Sequence, residues 1–146
     1  MKQRLNGWWI ALIAALADRL SKLLAAGRPA GALIPGLVNL RPVENRGMAF
    51  SMLSGQSLLL SLLTAALIAG IVGWLIARPQ APALMRCGLW LIVGGGLGNL
   101  YDRLTTGGVV DFIDLAFVRF AVFNIADVCI CVGAALVVLA NVRVKR

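Results

Sequence analysis

Six carboxylates and no histidine set the chemistry open to this chain. Without imidazole there is no His-ligated metal, no Ser-His or Cys-His nucleophile pair and no histidine proton shuttle. Carboxylates, lysine, serine and cysteine remain. Asp18, Asp102 and Asp127 sit at the edges of apolar runs, and Asp111 lies among Val109, Val110 and Phe112. Two carboxylates that face each other in a low-dielectric pocket cannot both ionise, so they share one proton. The ionised member can then take a proton from water while the protonated member polarises a carbonyl, which is the arrangement by which paired aspartates hydrolyse an amide.

Each acid also has a structural explanation. Asn124 and Asp127 have the N-cap to N3 spacing of a helix cap. Asp18 and Lys22, four apart, can neutralise each other on one helix face, and Arg103 can neutralise Asp102 or a loop acid. What favours chemistry is convergence, since several segments bring carboxylates to a similar level. A Ser-Lys peptidase, with Lys22 as base and Ser51 or Ser57 as nucleophile, is disfavoured because Asp18 one turn away would raise the pKa of Lys22. Cys87, Cys129 and Cys131 form neither a C-x-x-C nor an even disulfide framework and are expected as small apolar core residues.

The elements that position these acids belong in a membrane. Of the 146 residues 60% are hydrophobic and 14% charged, against about 25% charged in soluble domains. A spanning helix needs roughly 20 apolar residues. Four segments qualify, at about 6–25, 56–77, 85–101 and 123–142, within one integral-membrane domain covering residues 1–146. Lys2, Arg4, Arg78, Arg86, Arg143, Lys145 and Arg146, half of the 14 basic residues, lie in the termini and the turn between spans two and three, with no acid among them. Basic residues gather on the cytoplasmic side, so both termini are expected there and every carboxylate toward the outer face. A cleaved signal peptide over the first 27 residues is the competing expectation, opposed by Asp18, Arg19 and Lys22, which interrupt the apolar run. The uncharged stretches Leu5–Ala17, Cys87–Tyr101 and Val128–Val142 reach only roughly 20 to 22 Å each. Asp18, Asp102 and Asp127 are therefore expected several ångströms below the outer surface, where an unpaired ion costs about 2.5–3.5 kcal/mol.

Between spans one and two, Pro29, Pro35 and Pro42 with Leu37, Val38, Asn39 and Leu40 indicate extended chain from Gly27 to Gly55, with a turn at Glu44–Gly47 and a small extracytoplasmic sheet. Met48 to Leu53 is too apolar for a solvated loop. Gly94, Gly95, Gly96 and Gly98 match no nucleotide-binding pattern and are expected as a close-packing face, with Ala66, Gly70 and Gly73 complementary to it. Trp8, Trp9, Trp74 and Trp90 are expected as interfacial or lipid-facing anchors.

Five blocks in order resemble bacterial lipoprotein signal peptidase (signal peptidase II): D-x-x-S-K at Asp18 to Lys22, N-R-G-M-A-F-S at Asn45 to Ser51, G-G-G-L-G-N-L-Y-D-R at Gly94 to Arg103, V-V-D-F at Val109 to Phe112, and F-N-I-A-D at Phe123 to Asp127. The resemblance implies a mainly α inner-membrane aspartic peptidase with four transmembrane helices and a small outer sheet. It would remove the signal peptide of a diacylglyceryl-modified prolipoprotein just before the lipid-bearing cysteine. It further implies Asp111 and Asp127 as the catalytic pair; Asn45, Asn99 and Arg103 as substrate-binding residues; and Asp18, Lys22, Gly47, Asp102, Asn124 and Ala126 as supporting ones. No metal or other cofactor is implied. Membrane lipids and peptide-like inhibitors such as globomycin are the further expected partners. Arg19 stands where the family commonly has a neutral polar residue and Met48 where Ala is common, and the stretch Asp114 to Val122 is short, which leaves lid behaviour and substrate preference open.

A transporter would spread its acids through the membrane depth, whereas these gather toward one side. For a chaperone or assembly subunit, Asp111 would be dispensable. A nucleic-acid footprint is excluded because the basic residues divide equally between the two faces.

Overall fold

A computed structural model describes residues 6–47 and 55–144. The chain runs α1 (Trp8–Ala25), β1 (Gly31–Ile34), β2 (Val38–Asn45), α2 (Ser57–Ala77), α3 (Ala83–Thr106), β3 (Val109–Leu115) and α4 (Ile125–Val144). By length and composition α2, α3 and α4 can cross a membrane. The first helix carries Asp18, Arg19 and Lys22 and does not meet that measure. Leu12, Leu16, Leu58, Leu62 and Val138 all lie exposed on the helix surfaces, which suits lipid rather than water as the surrounding solvent.

The bundle is built around α3, which packs against each of the other three helices and has half of its apolar stretch buried, against 17% for those of α2 and α4. Glycine makes this possible. A Cβ at Gly94 would strike the backbone of Ala11, one at Gly95 the carbonyl oxygen of Ala126, and one at Gly98 the Asp18 carboxylate. The expected glycine face is therefore present, with α1 and α4 as its closest partners, while a Cβ at Gly96 would lie 3.2 Å from Ile68 of α2. Ala66, Gly70 and Gly73 are exposed instead, and nothing lies within 4 Å of a Cβ built on either glycine. A second correction concerns Trp90, which is 5% exposed and donates Nε1–H to the Asn6 carbonyl at 3.1 Å. Its indole found a polar partner inside the bundle and so had no need of the interface. Cys131, expected in the core, is exposed, while Cys87 and Cys129 are half-buried.

The sheet has the order β1-β2-β3 and is antiparallel throughout. The turn joining β1 to β2 lies around Gly36, which has φ 76°, and Leu37 N–H closes it onto Ile34 O at 3.0 Å. The expected turn at Glu44–Gly47 is displaced, because β2 continues through Asn45 and only Arg46 and Gly47 bend away. Between Leu40 and Val43 the register with β3 slips, at the point where Pro42 lacks the N–H that a ladder needs. The third helix passes its expected end at Tyr101 and stops at Gly107, which adopts the left-handed conformation of a C-cap. Met48 to Leu53 and Ser51, with Lys2, Arg4, Lys145 and Arg146, lie outside the described residues.

Candidate active site

Strand pairing puts Asp111 opposite Val43, which makes Asn45 its diagonal neighbour on the same face. Asn45 Nδ2 donates to Asp111 Oδ2 at 2.9 Å. Asp127 stands in the first turn of α4, where the helix dipole favours an anion. There it forms a reciprocal cap: Asn124 Oδ1 accepts the Asp127 N–H at 2.9 Å, and Asp127 Oδ2 accepts the Asn124 N–H at 3.2 Å. The structural explanation of the Asn124–Asp127 spacing thus holds, and it also positions the site. With its oxygen committed to the cap, the Asn124 amide turns its nitrogen to Asp111 Oδ1 at 2.7 Å. One side chain joins the two carboxylates.

Three asparagines point their nitrogens at this pair, and in each case a group able only to donate fixes the orientation. For Asn124 it is the Asp127 N–H. For Asn45 it is the Gly47 N–H, which Asn45 Oδ1 accepts at 2.9 Å. For Asn99 it is the Lys22 ammonium, 3.1 Å from Asn99 Oδ1, so that Asn99 Nδ2 donates to Asp127 Oδ1 at 2.9 Å. Every oxygen of the pair accepts one N–H.

Beneath lies a charge cluster in which Lys22, 2% exposed, sits 2.7 Å from Asp18 Oδ2 and 2.7 Å from Asp102 Oδ2. Asp102 also meets Arg19 at 3.6 Å and accepts the Val110 N–H at 3.4 Å, while Asp18 Oδ1 accepts the Ala126 N–H at 2.9 Å. Two cations and two anions balance, as buried ions must. The i,i+4 pairing of Asp18 with Lys22 was legible in the sequence; the second partner, Asp102, is reached across helices. Arg103, for which the sequence offered Asp102 or a loop acid as partner, feels the charges of Asp127, Asp111 and Asp102, and donates from Nη2 to Gly47 O at 3.5 Å. Asn45, Gly47, Asn99, Arg103, Asp111 and Asp127 share a cavity of about 500 Å³ that continues down α4. Its wall at Phe120, Ala121 and Val122 falls within the short stretch Asp114 to Val122 noted in the sequence, although the three residues were not named there as lining a site.

Burial pushes the Asp111 carboxyl up to about 6, with the Asp127 charge adding to the rise and the Asn45 and Asn124 amides opposing it. A raised carboxyl binds a proton more tightly in the folded than in the unfolded chain. Its contribution to stability is therefore complete below the ordinary value of 3.8 and is lost as pH rises through about 6. Asp127→Asn removes the repulsion and should move the Asp111 midpoint down, whereas Asn45→Ala removes a donor and should move it up. Infrared titration of the carboxyl stretch reads both, and a midpoint unmoved in Asp127→Asn would mean that the two carboxylates are uncoupled.

Residues 10–143 match the family described as Signal peptidase (SPase) II. The lipoprotein signal peptidase of Thermosynechococcus vestitus is 36% identical over 133 residues, covering 86% of this chain and 84% of the relative. That of Streptococcus pneumoniae is 40% identical over 110 residues, covering 75% and 72%. A bacterial membrane enzyme solved by the in meso method at 2.3 Å superposes with a TM-score of 0.86 at 30% identity, covering 92% of this chain and 86% of the other. With no histidine in the sequence and a carboxylate pair where four elements meet, the chain belongs to the signal peptidase II family of membrane aspartic peptidases.

Proposed function

We propose that this protein cleaves diacylglyceryl-modified prolipoproteins immediately before the lipid-bearing cysteine, with Asp111 and Asp127 as the catalytic pair. One carboxylate, ionised, takes a proton from water as the water oxygen attacks the scissile carbonyl carbon. The other, protonated, donates a hydrogen bond to the carbonyl oxygen. Collapse of the tetrahedral species breaks the C–N bond, and the cysteine nitrogen leaves with a proton drawn from the pair. No metal or other cofactor enters these steps. One observation supports this above the others: three asparagine amides, each with its orientation fixed by a donor, converge on two carboxylates in a single cavity. The test is cleavage of a purified lipidated precursor.

Arg103 and Asn45 then hold the substrate backbone, whose polar groups arrive unsatisfied from the lipid. Arg103 offers five donors in a planar fork that lysine cannot reproduce. Arg103→Lys should weaken a peptide-like inhibitor of the globomycin type by roughly ten-fold and lower turnover although charge is kept. Unchanged inhibitor affinity would return Arg103 to its contact with Gly47 alone. Asp18, Lys22, Gly47, Asp102, Asn124 and Ala126 support the pair through the bonds described above.

In the cell we place the protein in the cytoplasmic (inner) membrane, among lipids that cover the exposed apolar helix faces, with four spans, both termini cytoplasmic and the site toward the outer face. The basic residues of the termini and of the α2–α3 turn motivate this orientation. Reporter fusions at Gln80 and Gly108 should report opposite sides of the membrane. Reporters on the same side would overturn the topology.

A further inference from the structure

A second cavity, of about 710 Å³, adjoins the one that holds the carboxylate pair. Both are lined by Asn45, Asp111 and residues 120–122, so they meet at Asp111. Phe120 packs edge-on against Phe123 with ring centroids 6.0 Å apart, which ties their common wall to the start of α4. Their linings differ. The cavity that runs down α4 ends on Val128, Ile130 and Val132, whereas the second carries Arg41, Arg46 and Arg119 together with Glu44 and Asp114. Arg46 is committed to Glu44 at 2.9 Å, and Asp114 Oδ2 accepts from Asn39 at 3.4 Å. Among the described residues Arg41 and Arg119 carry neither an ion pair nor a side-chain hydrogen bond. Apart from Asp111, the groove therefore holds three cations against two anions.

A precursor cut between an apolar signal helix and a polar mature chain changes chemistry at the same point as this cleft. We propose that the outer groove receives the first residues of the mature chain, those just after the lipid-bearing cysteine, and that Arg41 and Arg119 make the enzyme favour carboxylate side chains there. This rests on the cleavage reaction proposed above and adds a substrate preference to it. Arg41 stands two residues along β2 from Val43, the partner of Asp111, and extended chain advances about 3.3 Å per residue, so the second to fourth residues after the scissile bond are the ones within reach. The two guanidiniums are exposed, which limits the gain from each pair to a few-fold and makes it sensitive to salt.

The experiment uses full-length enzyme in detergent and lipidated precursors identical except for Glu, Gln or Lys, scanned over the first to third residues after the cysteine, which are the second to fourth after the scissile bond. At low salt kcat/KM should fall in the order Glu, Gln, Lys at one or more positions, with a total spread of about ten-fold that narrows at high salt. The double variant Arg41→Glu, Arg119→Glu should reverse the order while cutting the Gln precursor within about two-fold of the wild type. Should that variant not fold, Arg41→Gln, Arg119→Gln should flatten the series. Equal rates for Glu and Lys at all three positions, or an unchanged order in the charge-reversed enzyme, would overturn the preference. Loss of all cleavage by Asp111→Asn beside continued cutting of the Gln precursor would in that case leave the proposed function standing without it.

Discussion

Asp111→Asn and Asp127→Asn are each expected to lower turnover of a lipidated precursor by roughly 10³–10⁴-fold, because each removes one half of the proposed acid–base pair, whose halves cannot substitute for each other. The fold should survive. A pair that shares one proton already contains one neutral member, so an amide in place of a carboxyl adds no unpaired charge. It does turn one acceptor into a donor. At Asp111 the new NH₂ would face Asn45 or Asn124, and at Asp127 it would face Asn99 or the Asn124 N–H. Each case costs about 1–3 kcal/mol, visible as a lowered melting temperature in an enzyme that remains folded. Turnover near wild type in either variant would remove that residue from the chemistry.

The second large effect concerns the lipid on the substrate. The carboxylate pair opens into a largely apolar cavity that continues along α4, so on the proposed reaction the scissile bond must be held at that cavity in order to react. The signal helix supplies one anchor. Acyl chains on the next residue supply another, with each buried CH₂ contributing about 0.8 kcal/mol. Two anchors on either side of one bond restrict its position and convert binding into orientation for attack. A precursor lacking the diacylglyceryl group, compared at detergent concentrations that dissolve both forms, should be cut with a kcat/KM lower by roughly 100-fold or more. Equal rates would leave a membrane aspartic peptidase whose specificity owes nothing to lipid.

The main elements could be read in the sequence because in a membrane the rules for them are few: a run of apolar residues becomes a helix, and prolines with alternating residues become sheet. Asn124 and Asp127 were legible as a cap because capping is a local affair of three residues. What joins that cap to Asp111 is not local. The Asn124 amide reaches β3, Lys22 reaches Asp102, and Asn99 stands between Lys22 and Asp127. Each of these contacts depends on how closely α1 and α4 approach α3, and that distance is set by which glycines face which helix. Composition shows the glycines of α3 but not their partners, and so the expectation of a matching face on α2 was misdirected. Trp90 was misplaced for a similar reason, since a lone carbonyl at Asn6 is a partner that only the folded chain supplies.

The cut bond and the role of Asp111 are read together by incubating one purified diacylglyceryl-modified precursor with wild type and with Asp111→Asn at equal folded concentration and measuring intact product masses. A single cut by the wild type is expected, leaving the lipid-bearing cysteine as the new N-terminus, with no product from the variant on the same timescale. Cleavage at another bond, or the same product from Asp111→Asn at a comparable rate, would contradict the proposed reaction.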